Sequence, residues 1–287
     1  MATLISRVRI ACILLAVILS HPILAFSDPF IVGIFPRQGA MVVHKQFGAL
    51  EKYLNVALGR DVVLETAKDF DTFWENVRNQ RYDLVHYNQY HYVKSHKEFG
   101  YEAILRNEEL GKETMSSALA ISVESGITDV AQLKGKKIVF GGGRSAMVAY
   151  IGVKQLLLDA GLKDGDYAEE YSNNPPNAVL ALYVGQADAA GTADSVFNVP
   201  AVAQKVQANK LRFLKVGIPL PHLPWAVKSS VDPATRAKLV DALAALDKSI
   251  DGKSILQEAG VSRFIRAKDS DYDACRDMIR SVTGETY

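Results

Sequence analysis

Short apolar runs of β-rich residues alternate along the chain with stretches whose apolar positions recur every three to four residues. Phe30 to Phe35 is of the first kind. Phe47, Leu50, Leu54 and Leu58 are of the second, closed by Gly59 in the manner of a helix C-terminus. The alternation continues with a strand over Val62 to Thr66, a helix over Phe70 to Val77 capped by Asp69 or Asp71, and a strand over Tyr82 to His86. Thr114 to Val123 is β-like without a long helix beside it. A fresh series then begins at Ile127: strand Lys137 to Phe140, long helix Ser145 to Asp159 ended by Gly161, short helix Asn177 to Val184 ended by Gly185. It closes with a small-residue strand over Ala187 to Thr192, a helix over Val196 to Gln207 and a strand over Leu211 to Val216.

Repeated βαβ order of this kind builds parallel sheets covered by helices. After the Pro-rich segment Gly217 to Pro224 come one strand, Trp225 to Val227, and helices around 233–250, 254–259 and 272–282. That tail has too few strands for a third domain and is expected to return to the first. The chain is therefore α/β, with two lobes, each a mainly parallel sheet flanked by helices, joined by crossings near 114–124 and 214–224. In residue terms, lobe 1 is 26–118 plus 219–287 and lobe 2 is 119–218.

The first 25 residues stand apart from this grammar. Arg7 and Arg9 precede the apolar run Ile10 to Leu19, and Ile23-Leu24-Ala25 offers a cleavage site, the pattern of a secretory signal. The run is too short to span a bilayer, which takes nearer twenty residues, and His21-Pro22 interrupts it. Export to the periplasm or another extracytoplasmic compartment is expected. Cys12 would leave with the signal, so Cys275 would be the lone cysteine, either a buried small hydrophobe or a free thiol, and its helical pattern with Tyr272, Met278 and Ile279 favours the buried reading.

Composition narrows the function classes. The 287 residues are 48% hydrophobic and 23% charged, as in ordinary globular proteins. Lys and Arg number 33 against 32 Asp and Glu, so no global field draws nucleic acid. Any charged ligand must be recognised locally.

In open α/β sheets ligands bind beyond the carboxyl ends of the strands. Four such exits carry unusual residues: Pro36-Arg37-Gln38-Gly39, His86-Tyr87-Asn88-Gln89-Tyr90, Gly141-Gly142-Gly143-Arg144-Ser145, and Ala193-Asp194-Ser195. Two come from each lobe, which places the candidate site in a cleft. Three glycines before a helix let backbone amides converge on an anion, and Arg144 can add a bidentate clamp. Equally, the glycines can serve only a tight turn with Arg144 in solvent. The loop lacks both the Lys-Ser/Thr of a nucleotide P-loop and the G-x-G-x-x-G register of a dinucleotide site. Asp194 reads either as a helix cap or as a carboxylate facing the glycine loop. His86, His91 and His96 are five apart, which turns successive side chains roughly 140° on a helix, so no metal and no cofactor are expected. No G-x-S-x-G elbow, H-E-x-x-H or catalytic cysteine setting is present, so the chain is not expected to be an enzyme.

The order GIFPRQ, YDLVHYNQY, TMSSALAISVESGITDVAQLKGKKIVFGG, GQADAAGTADSVF and GIPLPHLPWAVKSSVDPATRAKLVDAL, over about residues 29 to 250, resembles the phosphate/phosphite/phosphonate solute-binding proteins of ABC importers. These are type II periplasmic binding proteins. The resemblance implies a Venus-flytrap fold that captures a small oxyanion or organic anion between its lobes without catalysis, a monomer delivering to an ABC permease. The alternative is a sensor of the same fold that signals to a membrane histidine kinase; an enzyme or metal carrier on this scaffold is the third reading. By position the resemblance assigns contacts to Pro36 to Gly39, His86 and Tyr87, and an acidic contact to Asp194. With the glycine loop, the expected ligand-binding set is Arg37, Gln38, His86, Tyr87, Gly142, Gly143, Arg144, Ser145, Asp194 and Ser195. Two departures stand out: Ala146-Met147-Val148 occupies the family's Ser-Thr-Ser run, and Pro175 the place of its His.

Overall fold

A computed structural model describes residues 28–207 and 209–287; the expected signal segment lies outside the described residues. Two sheets organise the chain. The first contains β1 (Phe30–Ile34), β2 (Val62–Glu65), β3 (Leu84–His86), β4 (Glu102–Glu108), β10 (Pro224–Val227) and β11 (Arg263–Arg266), in the order β11-β4-β10-β3-β1-β2. The second contains β5 (Thr114–Ser122), β6 (Lys137–Gly141), β7 (Ala168–Ser172), β8 (Ala189–Ala193) and β9 (Leu211–Pro221), in the order β7-β6-β8-β5-β9.

The two-lobed α/β class read from the sequence is the one the chain adopts. The sheets are mixed, however, rather than mainly parallel. β1 pairs in parallel with β2 and β3, and β6 with β7 and β8, but β10 in the first sheet and β5 and β9 in the second run antiparallel to their neighbours. A strand entered directly from the other sheet, as β5 and β10 are, has no helix before it to bring it into parallel register.

Helices cover these sheets as their apolar faces require. α1 (Ala40–Leu58) buries Val43, Phe47, Leu50, Leu54 and Leu58, the stripe visible in the sequence. α2 (Phe70–Arg78) is capped by Asp69, whose side chain accepts from the Thr72 amide. α3 (Gln89–Phe99), in a stretch whose tyrosines alternate without an evident helical stripe, follows β3 and starts at Asn88. The long helix expected over Ser145 to Asp159 begins as a π-helical turn, Met147–Ile151, before α4 (Gly152–Asp159). Gly152 sits so close to β5 that a Cβ there would lie 1.8 Å from Ser117 Oγ. α5 is Pro175–Tyr183. The helix expected over Val196 to Gln207 is broken into a 3₁₀ turn and the short α6 (Pro200–Ala203), because Val199 precedes a proline and is extended. α7 (Pro233–Ala244), α8 (Ile250–Ala259) and α9 (Asp273–Thr283) complete the chain.

Thr114 to Ser122 and Leu211 to Pro221 pair within the second sheet along their whole length. The chain therefore passes between sheets at 109–113 and 222–223, a few residues outside the expected boundaries at 118/119 and 218/219. α9 packs against α3 of the first lobe and against α4 and the π turn of the second. Through it one apolar core runs from Tyr92 and Tyr101 past Tyr272, Cys275 and Ile279 to Met147 and Ile151. Cys275 is a free thiol buried in that seam, and burial pushes its pKa up to about 12.

Candidate functional site

A cavity of about 650 Å³ opens between the lobes. The first lobe lines it with Pro36, Arg37, Gln38 and Gly39 at the start of α1 and with Lys68, Asp69 and Phe70 at the start of α2. The second lobe supplies Gly143 from the loop after β6 and Tyr171 to Asn174 from the end of β7. Strand exits from both lobes thus meet, as the βαβ order requires.

The electrostatics of this cavity favour an anion. α1 starts at Gly39 with no side-chain cap and no acid in its first turn, so the positive end of a 19-residue helix faces the cavity unneutralised. Arg37 lies 5.5 Å from the Phe35 ring centroid, and with Lys68 it places two cations on the wall. The carboxylate that lines the cavity, Asp69, accepts from the Thr72 amide, a hydrogen bond that holds its pKa below the usual value, and its other oxygen lies 3.9 Å from Lys68, so Arg37 is the cation of this wall without a carboxylate beside it among the described lining residues. α5 begins at Asn174, whose side chain accepts from the Asn177 amide at 3.0 Å.

The glycine loop is shaped by close approach as much as by flexibility. A Cβ on Gly141 would lie 2.4 Å from Pro175 Cα, so the start of α5 sits directly on β6. Gly142 has a φ of 133°, which side chains rarely adopt. Arg144 is exposed, and its Nε donates to the Tyr171 hydroxyl at 3.2 Å. That hydroxyl donates in turn to Glu169 at 2.6 Å, and the other Glu169 oxygen accepts from the buried Lys154 at 2.6 Å. Burial opposes the charge on Lys154, but bonds to Asp164, Glu169 and Tyr167 outweigh it and raise its pKa. A buried ammonium therefore anchors a carboxylate, a tyrosine and an arginine in series, ending at the cavity rim.

The expected contacts divide into groups. Arg37, Gln38 and Gly143 line the cavity; Gly142, Arg144 and Ser145 adjoin it through the glycine loop. The Ser145 carbonyl accepts from Asn88 Nδ2 of the first lobe at 2.9 Å. His86 and Tyr87 are placed differently from the expectation. The His86 ring stacks on Trp225, 4.4 Å away at 13°, and its Nδ1–H donates to the Pro224 carbonyl; burial drives its pKa to about 3. Inside the core the Tyr87 hydroxyl donates to Ser95 Oγ, whose own proton goes to the Tyr92 carbonyl. His86 ends, and Tyr87 directly follows, a strand three residues long that lies in mid-sheet, and both side chains are buried. Asp194 is neither a helix cap nor turned to the glycine loop: its Oδ1 accepts from the Ser116 amide and its Oδ2 from Lys112. Ser195 opens a 3₁₀ turn with no side-chain bond.

Sequence reasoning passed over Lys68, Phe70, Tyr171, Asn173 and Asn174. Of the last three, Tyr171 lies near the end of β7 and Asn173 and Asn174 follow it; its sequence AEEYS has no apolar alternation to mark it as a strand. The run Asn173-Asn174-Pro175-Pro176 was the available signal, a cap followed by proline at a helix start.

Three of the solved structures that share the fold carry the comparison. PhnD1 from Prochlorococcus marinus in complex with methylphosphonate superposes with a TM-score of 0.78 at 16% identity, covering 90% of this chain and 99% of that one. A Xanthomonas citri protein bound to ATP gives 0.77 at 15%, covering 90% and 98%. A binding protein component of an ABC phosphonate transporter from Pseudomonas aeruginosa gives 0.74 at 15%, covering 88% and 86%. The sequence profile of the family described as ABC transporter, phosphonate, periplasmic substrate-binding protein matches residues 32–272. That match takes in both sheets and both crossings, and the chain belongs to the periplasmic substrate-binding proteins of phosphonate ABC transporters.

Proposed function

We propose that this chain, exported through cleavage of a signal near residue 25, captures an organic oxyanion of phosphonate or phosphate-ester type between its lobes as a monomer. It then presents the closed form to an ABC permease in the inner membrane. The observation that carries this reading is the wall of the cavity: Arg37, Lys68 and the uncapped start of α1 on one side, Gly143 and Asn173-Asn174 on the other. Cations and amide donors outnumber free acceptors there, which favours a ligand rich in acceptor oxygens. The ligands named for the two neighbours, methylphosphonate and ATP, both carry phosphorus oxyanions. In this reading Arg37, Gln38, Lys68 and Gly143 touch the anion and Arg144 closes the rim. Lobe 1 takes the chain up to the first crossing and after the second, and lobe 2 lies between them.

Native mass spectrometry of protein purified from its own host, followed by calorimetric titration with methylphosphonate and inorganic phosphate, tests this. A co-purified phosphorus oxyanion, or one-to-one binding of either probe, is expected. A neutral or cationic co-purified ligand, with neither probe binding, would overturn it.

A further inference from the structure

We infer that the cleft selects an oxyanion that carries a flat, uncharged substituent, held between Phe70 of one lobe and Tyr171 of the other. This rests on the oxyanion reading above and adds the substituent to it. Phe70 and Tyr171 are large side chains left 39% and 43% exposed, and they line the same cavity from opposite lobes. Each ring is braced from behind. Phe70 lies parallel to His91, 6.2 Å away at 14°, with Phe35 against its edge. Tyr171 rests on Phe140 and Tyr150, and its hydroxyl is fixed between Arg144 and Glu169. A braced aromatic face open to a cleft binds planar groups at little conformational cost.

Volume and charge agree with this. At about 650 Å³ the cavity matches the range of roughly 300 to 1,000 Å³ that holds whole organic ligands, well beyond a bare tetrahedral group. Among the described lining residues an ammonium on the substituent would meet one carboxylate, Asp69, which already caps α2 through Oδ1 and pairs with Lys68 at 3.9 Å through Oδ2. Phe70 follows Lys68 and Asp69 directly, so one wall joins a cation to an aromatic face.

Titration calorimetry of the whole protein with methylphosphonate, phenylphosphonate and 2-aminoethylphosphonate tests the clamp. Phenylphosphonate is expected to bind about tenfold more tightly than the other two. Phe70→Ala and Tyr171→Ala should each bring the phenyl-to-methyl ratio toward one, whereas Tyr171→Phe, which keeps the ring, should preserve it. Phe70→Leu, with apolar bulk but no ring, should behave as Phe70→Ala and serves if the alanine variant does not fold. Equal affinities in the unsubstituted protein, or an undiminished ratio in the alanine or leucine variants, overturns the clamp and leaves the oxyanion reading standing. Binding of none of the three overturns both.

Discussion

Asn88 bonds to both lobes at once: its Oδ1 accepts from the His91 amide at 2.9 Å, capping α3, while its Nδ2 donates to the Ser145 carbonyl in the glycine loop at 2.9 Å. Aspartate caps as well as asparagine but cannot donate. Asn88→Asp should therefore keep the melting temperature and lose the tie. A hydrogen bond of about 0.5 to 1.5 kcal/mol sets an open–closed balance by about two- to tenfold. X-ray scattering at subsaturating phosphonate should give a larger radius of gyration for Asn88→Asp than for the unsubstituted protein. Identical values would mean that the bond follows closure without stabilising it.

Acid should destabilise the fold through its buried histidines. Burial holds His86 at a pKa of about 3 and His91 at about 4, and also lowers that of His222, against an ordinary 6.5. A lowered folded value means that the unfolded chain takes up the proton first, so stability is full above about pH 6.5 and falls as the pH drops toward 4 and then 3. His91 is the informative one, packed among Phe70, Trp74 and Tyr90 with no partner for its Nδ1 among the described residues. His91→Phe should match or exceed the unsubstituted melting temperature at pH 7 and lose less of it between pH 6.5 and 4. An unchanged acid slope in thermal melts would assign the loss to other groups.

Asp194→Asn separates two bonds. The amide oxygen can still accept from Ser116, but the ion pair to the half-exposed Lys112 is removed, worth about 0.2 to 1 kcal/mol. Asp194→Ala also leaves the buried Ser116 amide unsatisfied, at a further cost of about 1 to 3 kcal/mol. Chemical denaturation should rank the asparagine variant just below the unsubstituted protein and the alanine variant well below it, with methylphosphonate affinity within about threefold in both. A tenfold loss of affinity in the asparagine variant would return Asp194 to the ligand.

Where one physical effect dominated, the sequence was legible. The stripe on α1 and the glycines after it and after α4 and α5 are local, and Gly59, Gly161 and Gly185 do take positive φ. The strand exits followed from sheet grammar and brought Arg37, Gln38 and Gly143 to the cavity. What could not be read was long-range. His86 and Tyr87 are covered because β3 is flanked by β1 and by β10, which returns from nearly 140 residues further along the chain. Asp194 is tied to Lys112 on the crossing segment, 82 residues away. The π turn runs directly into Gly152, where the chain approaches Ser117 of β5, a long-range contact that no local pattern encodes.

Arg37 lines the cavity and Arg144 follows the lining Gly143, and their settings predict unequal weight. Arg37 lines the wall beside the uncapped start of α1, where helix end and side chain act on one anion. Arg144 stands one residue beyond the wall, exposed, with Nε already donating to Tyr171. Removing a charge-assisted hydrogen bond at the wall should cost about ten- to a hundredfold in affinity, and removing one at a solvated rim about two- to tenfold, since water and salt screen it. Calorimetry with methylphosphonate at low and high salt should therefore show a large loss for Arg37→Ala, a smaller one for Arg37→Lys, which keeps charge without the planar fork, and a small one for Arg144→Ala that fades at high salt. Tyr171→Phe should reproduce part of the Arg144 effect, because the guanidinium loses the hydroxyl that aims it. A larger loss for Arg144→Ala than for Arg37→Ala would move the anion to the glycine loop and make the second lobe, not the first, its primary seat.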